Sequence, residues 1–255
     1  MLTAFSALIL GVIEGFTEFL PVSSTAHLIL ASEIFKISQS NFAKTFEIAI
    51  QSGAILAVVA IYWEKFFDFE LLKKIIAAFI PTGMLGLVFY KVVKNYLLGN
   101  MPVVLASLAI GGLFLVIFER FFKTKNEVGN IKNISYKKAV IIGIFQSISM
   151  IPGVSRAAAT IIGGMLIGIS REAIVEFSFL LAVPTMFAAT GLDIFKNFHE
   201  FSASQFNVLG IGFVVSFVMA IVSIKFLLSY VRNHSFAAFG WYRIILVALF
   251  ILIVL

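Results

Sequence analysis

Glu14-Gly15-Phe16-Thr17-Glu18-Phe19-Leu20-Pro21-Val22-Ser23-Ser24-Thr25-Ala26-His27 sets two carboxylates, a proline, three hydroxyls and a histidine inside the apolar stretch Leu2–Ile34. Pro21 lacks an N–H and clashes with the preceding turn, so it interrupts a helix. Ser23, Ser24 and Thr25 are favoured N-cap residues for a new one. Each half alone is shorter than the ~20 apolar residues a membrane crossing needs. The pattern predicts a helix–break–helix that enters and leaves on one side. Broken backbone is tolerated at membrane depth where protein or a wet cavity surrounds it.

The design recurs. Ala139–Ile169 is also apolar, and its centre reads Ile151-Pro152-Gly153-Val154-Ser155-Arg156-Ala157-Ala158-Ala159-Thr160-Ile161. The offset that places Pro21 on Pro152 also places Ser24 on Ser155, Phe46 on Phe177 and Lys65 on Lys196. Between and after these regions lie six stretches long enough to span a bilayer, roughly 43–63, 72–92, 102–121, 173–195, 207–230 and 237–255. The order is hairpin plus three spans, twice over. Three spans per half is odd, so the halves, approximately 1–125 and 132–255, face opposite ways. The expected fold is therefore an all-α polytopic membrane protein. It has six transmembrane helices and two re-entrant helical hairpins in an inverted repeat, forming one integral membrane domain.

Composition agrees. Of 255 residues, 61% are apolar, with 19 Lys and Arg and 13 Asp and Glu, and the mean hydropathy is +1.07. A soluble domain is roughly 45–50% apolar and about 25% charged, so that class is excluded. The absence of Cys excludes disulfides, thiolate metal sites and a cysteine nucleophile. Met1–Leu10 has no basic residue ahead of its apolar run and is not read as a signal peptide.

The net charge of +6 finds its explanation in topology. One side holds Lys36, Lys44, Lys91, Lys94 and Lys196. The other holds Lys65, Lys73, Lys74, Arg120, Lys123, Lys125, Lys132, Lys137, Lys138, Arg171, Lys225, Arg232 and Arg243. The richer side is expected in the cytoplasm, with both termini outward, and no nucleic-acid partner is needed.

Charge at membrane depth is expensive and usually functional. Glu14 and Glu18 are four apart and share a helix face. They suit a divalent cation held through oxygens, or general acid–base work; the plainer reading is two solvated acids at a helix end. The Ser/Thr run could cap and nothing more, yet a half-helix start is also a ready anion site. A lone His27 is more often structural, but here it neighbours Glu14, Glu18 and Ser24. Arg156 presents a planar fork suited to phosphate oxygens; otherwise it pairs with Glu14 or Glu18. GxxxxGK[ST], HExxH and GxSxG are absent. These groups at two helix N-termini suggest phosphate-ester or pyrophosphate chemistry on a lipid-tailed substrate.

At these motifs the chain resembles the bacterial undecaprenyl-diphosphate phosphatase family, associated with bacitracin resistance. Glu14 through His27 and Pro152 through Thr160 carry the resemblance. Phe46-Glu47-Ile48-Ala49-Ile50-Gln51-Ser52-Gly53 and Glu176 through Pro184 also look like family segments. The resemblance implies hydrolysis of undecaprenyl diphosphate to the monophosphate carrier of cell-wall synthesis, in the bacterial inner membrane, with an outward-facing site. It implies functional roles for Glu14, Glu18, His27, Arg156 and Ser24. It implies substrate contacts from Ser23, Thr25, Ser155, Thr160, Gln51 and Glu47, and a Mg²⁺ or Ca²⁺ ion on Glu14 and Glu18. The chain departs from the family at Ala157-Ala158, where Ser-Gly is usual, and at Ser52, where Leu is usual.

The expected mechanism has the Glu pair holding the cation and Arg156 with the two helix starts holding phosphoryl oxygens. Ser24, His27 or a His27-activated water attacks phosphorus. Arg156, Glu14 and His27 should then line one cavity. The rival is a transporter or flippase of polyprenyl phosphate lipids, since opposed broken helices are also a transporter layout. Membrane lipids and polyprenyl diphosphates are the expected partners. Gly111-Gly112 and Gly163-Gly164 allow the close helix contacts of a homodimer.

Overall fold

Where water is absent, each backbone polar group must find its partner within the protein, and apolar runs fold as helices. A computed structural model describes residues 2–37, 40–97, 99–122, 128–197 and 206–254. Among them every regular element is a helix, apart from one isolated bridge between Val128 and Ile169. The helices are α1 (Ala4–Thr17), α2 (Ser24–Ile34), α3 (Asn41–Tyr62), α4 (Phe69–Val92), α5 (Met101–Phe121), α6 (Tyr136–Ser147), α7 (Arg156–Leu166), α8 (Arg171–Asn197), α9 (Phe206–Tyr230) and α10 (Ala237–Val254). Six of them, α3, α4, α5, α8, α9 and α10, are long and apolar enough to cross a membrane, within a few residues of the expected spans.

The packing repeats under exchange of the halves. Helix α1 packs along α9, and its counterpart α6 packs along α4. Helices α3 and α8 pack on each other, as do α5 and α10. Gly11 of α1 sits where a Cβ would lie 2.8 Å from the carbonyl oxygen of Gly212, and Gly143 of α6 where it would lie 1.9 Å from that of Ala78. A side chain at either position would hold the helices apart.

Each short pair, α1–α2 and α6–α7, packs on itself across a break. Helix α1 ends at Thr17, the residue whose carbonyl the Pro21 ring would strike in a continued helix. Ser23 then caps α2 and Ser155 caps α7, each accepting from the N–H three residues on. Both take positive φ, 71° and 78°, a rare conformation for a residue with a Cβ. The structural counterparts are thus Ser23 and Ser155, not Ser24 and Ser155. The second break is one residue longer between proline and cap, because Gly153, at φ +98°, is added to the turn.

The sidedness reading needs one correction. Lys65, Lys132 and Arg171, all counted on the richer side, pair with Glu176, Asp68 (2.7 Å) and Glu119 (2.7 Å). Hydrogen bonding from Lys132 holds the Asp68 carboxyl below its ordinary range. Arg243, however, is fully buried inside α10 and does not belong to that surface. Lys123 and Lys125 lie outside the described residues. The glycine pairs are engaged within one chain: Gly112 against Gly240, Gly163 against Phe145 and Gly164 against Ile174.

Gly143→Ala should lower the melting temperature in detergent, since α6 must move off α4; overpacking of this kind costs about 1–3 kcal/mol. Gly129→Ala, where a Cβ meets open space, should leave it unchanged. Equal melting of the two variants would contradict the close packing.

Candidate active site

The two breaks meet around one cavity of about 240 Å³. Glu18, Ser23, Ser24 and Thr25 line it from the first break, and Pro152, Gly153, Ser155 and Arg156 from the second. Gln51 of α3, Ser149, and Met186 and Ala189 of α8 complete the wall. It is smaller than the ~300–1,000 Å³ of a drug-sized ligand site, and its size suits a headgroup better than a long tail. Two helix starts border it, each bringing N–H groups with no preceding turn to bond them and the positive end of a dipole.

Within the cavity three side chains form a relay. Ser24 Oγ donates a hydrogen bond to Glu18 Oε2. Arg156 Nη2 donates to Glu18 Oε1 at 3.2 Å, and Nη1 to the Ser178 carbonyl at 3.0 Å. Both members of the ion pair are largely buried, with side chains 9% and 10% exposed. The Arg156 guanidinium also lies 5.9 Å from the Phe19 ring centroid. A hydroxyl held by a carboxylate that is itself oriented by a third group is the arrangement of an activated nucleophile.

Four expected site residues do not line this cavity. Glu14 is fully buried one turn behind Glu18, and neither of its oxygens has a hydrogen-bond partner. Its electrostatic neighbours are Glu18, Glu47 and Arg156. His27 is turned away: Nδ1 donates to the Ser23 carbonyl at 2.8 Å, and Nε2 meets the Tyr242 hydroxyl at 2.7 Å. Thr160 is buried, its hydroxyl donating to the Arg156 carbonyl at 2.8 Å and lying 3.3 Å from Gln146 Oε1. Glu47 also stands off the cavity wall. The expectation that Arg156, Glu14 and His27 share one cavity is therefore corrected: Arg156 meets Glu18 and Ser24, while Glu14 and His27 stand behind the wall. Ala157 and Ala158 are buried and do not line it either, so this departure from the family pattern leaves the wall intact.

The sequence profile described as "Bacitracin resistance protein BacA" matches residues 7–249. The chain belongs to the BacA family. Among its BacA relatives, an undecaprenyl-diphosphatase of Sulfurihydrogenibium sp. is 50% identical over 252 residues, covering 98% of this chain and 99% of that one. One from Persephonella marina is 51% identical over 251 residues, 98% of each chain. One from Aquifex aeolicus is 48% identical over 246 residues, 96% of each.

Several residues around this BacA site escaped the sequence reading. Arg243 carried a signal, an arginine inside an apolar span, which the sidedness count absorbed. Tyr242 carried none that separates it from ordinary helix residues, Ser178 stood only within the Glu176–Pro184 segment, and Gln146 stood only as a polar residue in the second apolar stretch. Gln146 is buried, donates to Thr82 and Thr185 at 3.1 and 3.0 Å, and so ties α6 to α4 and α8 behind Arg156.

Breaking the pair from one side should hurt more than removing it. Glu18→Ala or Arg156→Ala leaves an uncompensated buried charge, worth about 3–5 kcal/mol. The double variant should recover part of that loss in a detergent melting experiment. Strictly additive losses would show that the pair is not coupled.

Proposed function

We propose that this chain hydrolyses the phosphoanhydride bond of undecaprenyl diphosphate, releasing orthophosphate and leaving undecaprenyl phosphate in the membrane. The observation that carries the reading is the Ser24–Glu18–Arg156 relay on a cavity walled by two helix N-termini. The relatives named undecaprenyl-diphosphatase share about half of their residues with this chain over nearly its whole length.

The diphosphate enters between the two helix starts. Their N–H groups and Arg156 take the phosphoryl oxygens, placing charge stabilisation where phosphoryl transfer needs it. Ser24 Oγ attacks the terminal phosphorus while its proton passes to Glu18. The bridging oxygen leaves with undecaprenyl phosphate. Glu18 gives that proton up to the departing phosphate; water then attacks the phosphoserine, passing a proton to Glu18, which hands it to Ser24 Oγ as orthophosphate departs. Ser24 is favoured over His27 because it faces the cavity with a carboxylate already on its hydroxyl. Both His27 nitrogens are engaged elsewhere.

Glu14, whose two oxygens are buried and unpartnered one turn behind Glu18, would hold a divalent cation together with Glu18 if the wall opens between them. Such an ion commonly takes one or two carboxylates and completes its shell from phosphate. When bound it would neutralise diphosphate charge. The protein sits in the membrane as a multi-pass chain. We place the Lys65, Lys132 and Arg171 end in the cytoplasm and both termini and the cavity outside, since the basic excess survives the loss of Arg243 from the count. Any dimer would use lipid-facing helix surfaces, because the glycine pairs are engaged within one chain.

Purified protein in detergent should release phosphate from undecaprenyl or farnesyl diphosphate. A chelator should slow it and Mg²⁺ restore it. Glu18→Gln should lower kcat about 10²–10⁴-fold, the range for loss of acid–base catalysis, and Ser24→Ala, which removes the nucleophile, at least as much. No phosphate release in detergent, with lipid movement in sealed vesicles, would replace the phosphatase reading with the transporter.

A further inference from the structure

The cavity needs two breaks from distant parts of the chain held in one register. Helix α10 reaches both through adjacent residues. Arg243 is fully buried, and its partners are all carbonyls: Nε donates to Leu108 at 3.2 Å, Nη1 to Val154 at 3.1 Å, and Nη2 to Ser107 at 3.1 Å and Gly153 at 2.7 Å. Gly153 and Val154 immediately precede the Ser155 cap, where the interrupted helix leaves carbonyls without their usual partners. Leu108 and Ser107 belong to α5. One guanidinium therefore pins the second break to α5 and α10 at once. A buried guanidinium is costly unless its donors are met, and here the break itself supplies acceptors.

Tyr242 faces the other break. The Ser23 carbonyl can only accept, so His27 Nδ1 carries a proton, and Nε2 is hydrogen-bonded to the Tyr242 hydroxyl at 2.7 Å. The two rings are parallel within 3°, with centroids 5.5 Å apart. Ser23 is the counterpart of Ser155, capping its helix with the same strained backbone. Adjacent helical residues point about 100° apart, and that angle lets one turn of α10 address both hairpins. The sequence makes room for it. A Cβ on Gly240 would lie 2.6 Å from the Gly112 oxygen, and a Cβ on Gly111 would lie 2.3 Å from Arg243 Nη2.

We propose that Tyr242 and Arg243 form a brace that fixes the two phosphate-facing helix starts relative to each other, Tyr242 through His27 and Ser23, Arg243 through the Gly153 and Val154 carbonyls. Both are positioning residues for attack by Ser24, and this role in turnover rests on the phosphatase reading above. Small misplacement of reacting groups costs rate more than binding. The brace therefore governs kcat and leaves KM little changed.

The test uses Tyr242→Phe, which removes one hydroxyl and keeps the stacked ring, and Arg243→Lys, which keeps the charge and loses the planar fork. Because the chain has no cysteine, spin labels at Thr25→Cys and Ile151→Cys report the separation of the two breaks without background. The unaltered brace should give one narrow distance distribution. Each variant should broaden or shift it, and in unlabelled protein should lower kcat per folded molecule about ten- to a hundredfold with KM within about twofold. Unchanged distances in both variants would overturn the brace, as would a lowered melting temperature with kcat per folded molecule intact. If Arg243→Lys does not fold, Tyr242→Phe decides alone. A parent protein that releases no phosphate removes the phosphatase reading, and the distance measurement still tests the brace.

Discussion

Glu18 and Arg156 are buried charges on different breaks, and neither is tolerable at that depth without the other. The rest of the site follows from that constraint. Their pairing requires the first hairpin to meet the second, which brings both helix starts onto one cavity. It leaves Glu18 Oε2 to Ser24 and one Arg156 nitrogen to the Ser178 carbonyl. Tight packing of α1 on α9 and α6 on α4, with glycines at the closest approaches, delivers the hairpins to that meeting point.

The same pairing suits the chemistry. Arg156 carries charge into an apolar setting, held by Glu18; in the proposed mechanism it is released toward phosphate oxygens when substrate arrives. Ser24 sits on the carboxylate that would receive its proton. The headgroup-sized cavity and the apolar side chains of Met186 and Ala189 on its wall fit a substrate whose polar end is small and whose remainder stays in lipid.

Much of this was legible in the sequence because the bilayer makes strong demands. Span length and the cost of buried charge marked the six long helices, Glu18 and Arg156, while proline with capping hydroxyls marked both breaks and Ser24. What escaped depended on tertiary contacts. His27 reads as a catalytic neighbour of Ser24, but an α-helix turns it toward Tyr242, 215 residues away. Glu14 shares a helix face with Glu18, yet the wall closes in front of it. Thr160 lies one turn after Arg156 and bonds back to its carbonyl. The repeat offset slipped by a residue because Gly153 lengthens the second turn. Arg243 was misplaced for another reason: counting basic residues near helix ends treats each as a surface charge, although the rule that singled out Arg156 applied to it equally.

The most direct test of the central claim is to quench a single turnover with radiolabelled diphosphate and locate the trapped phosphate. Ser24 with Glu18 as its base predicts an acid-stable, base-labile adduct at Ser24 that is lost in Ser24→Ala. An acid-labile, base-stable adduct would assign the attack to His27, and a burst with no adduct would assign it to water; either result would contradict the account.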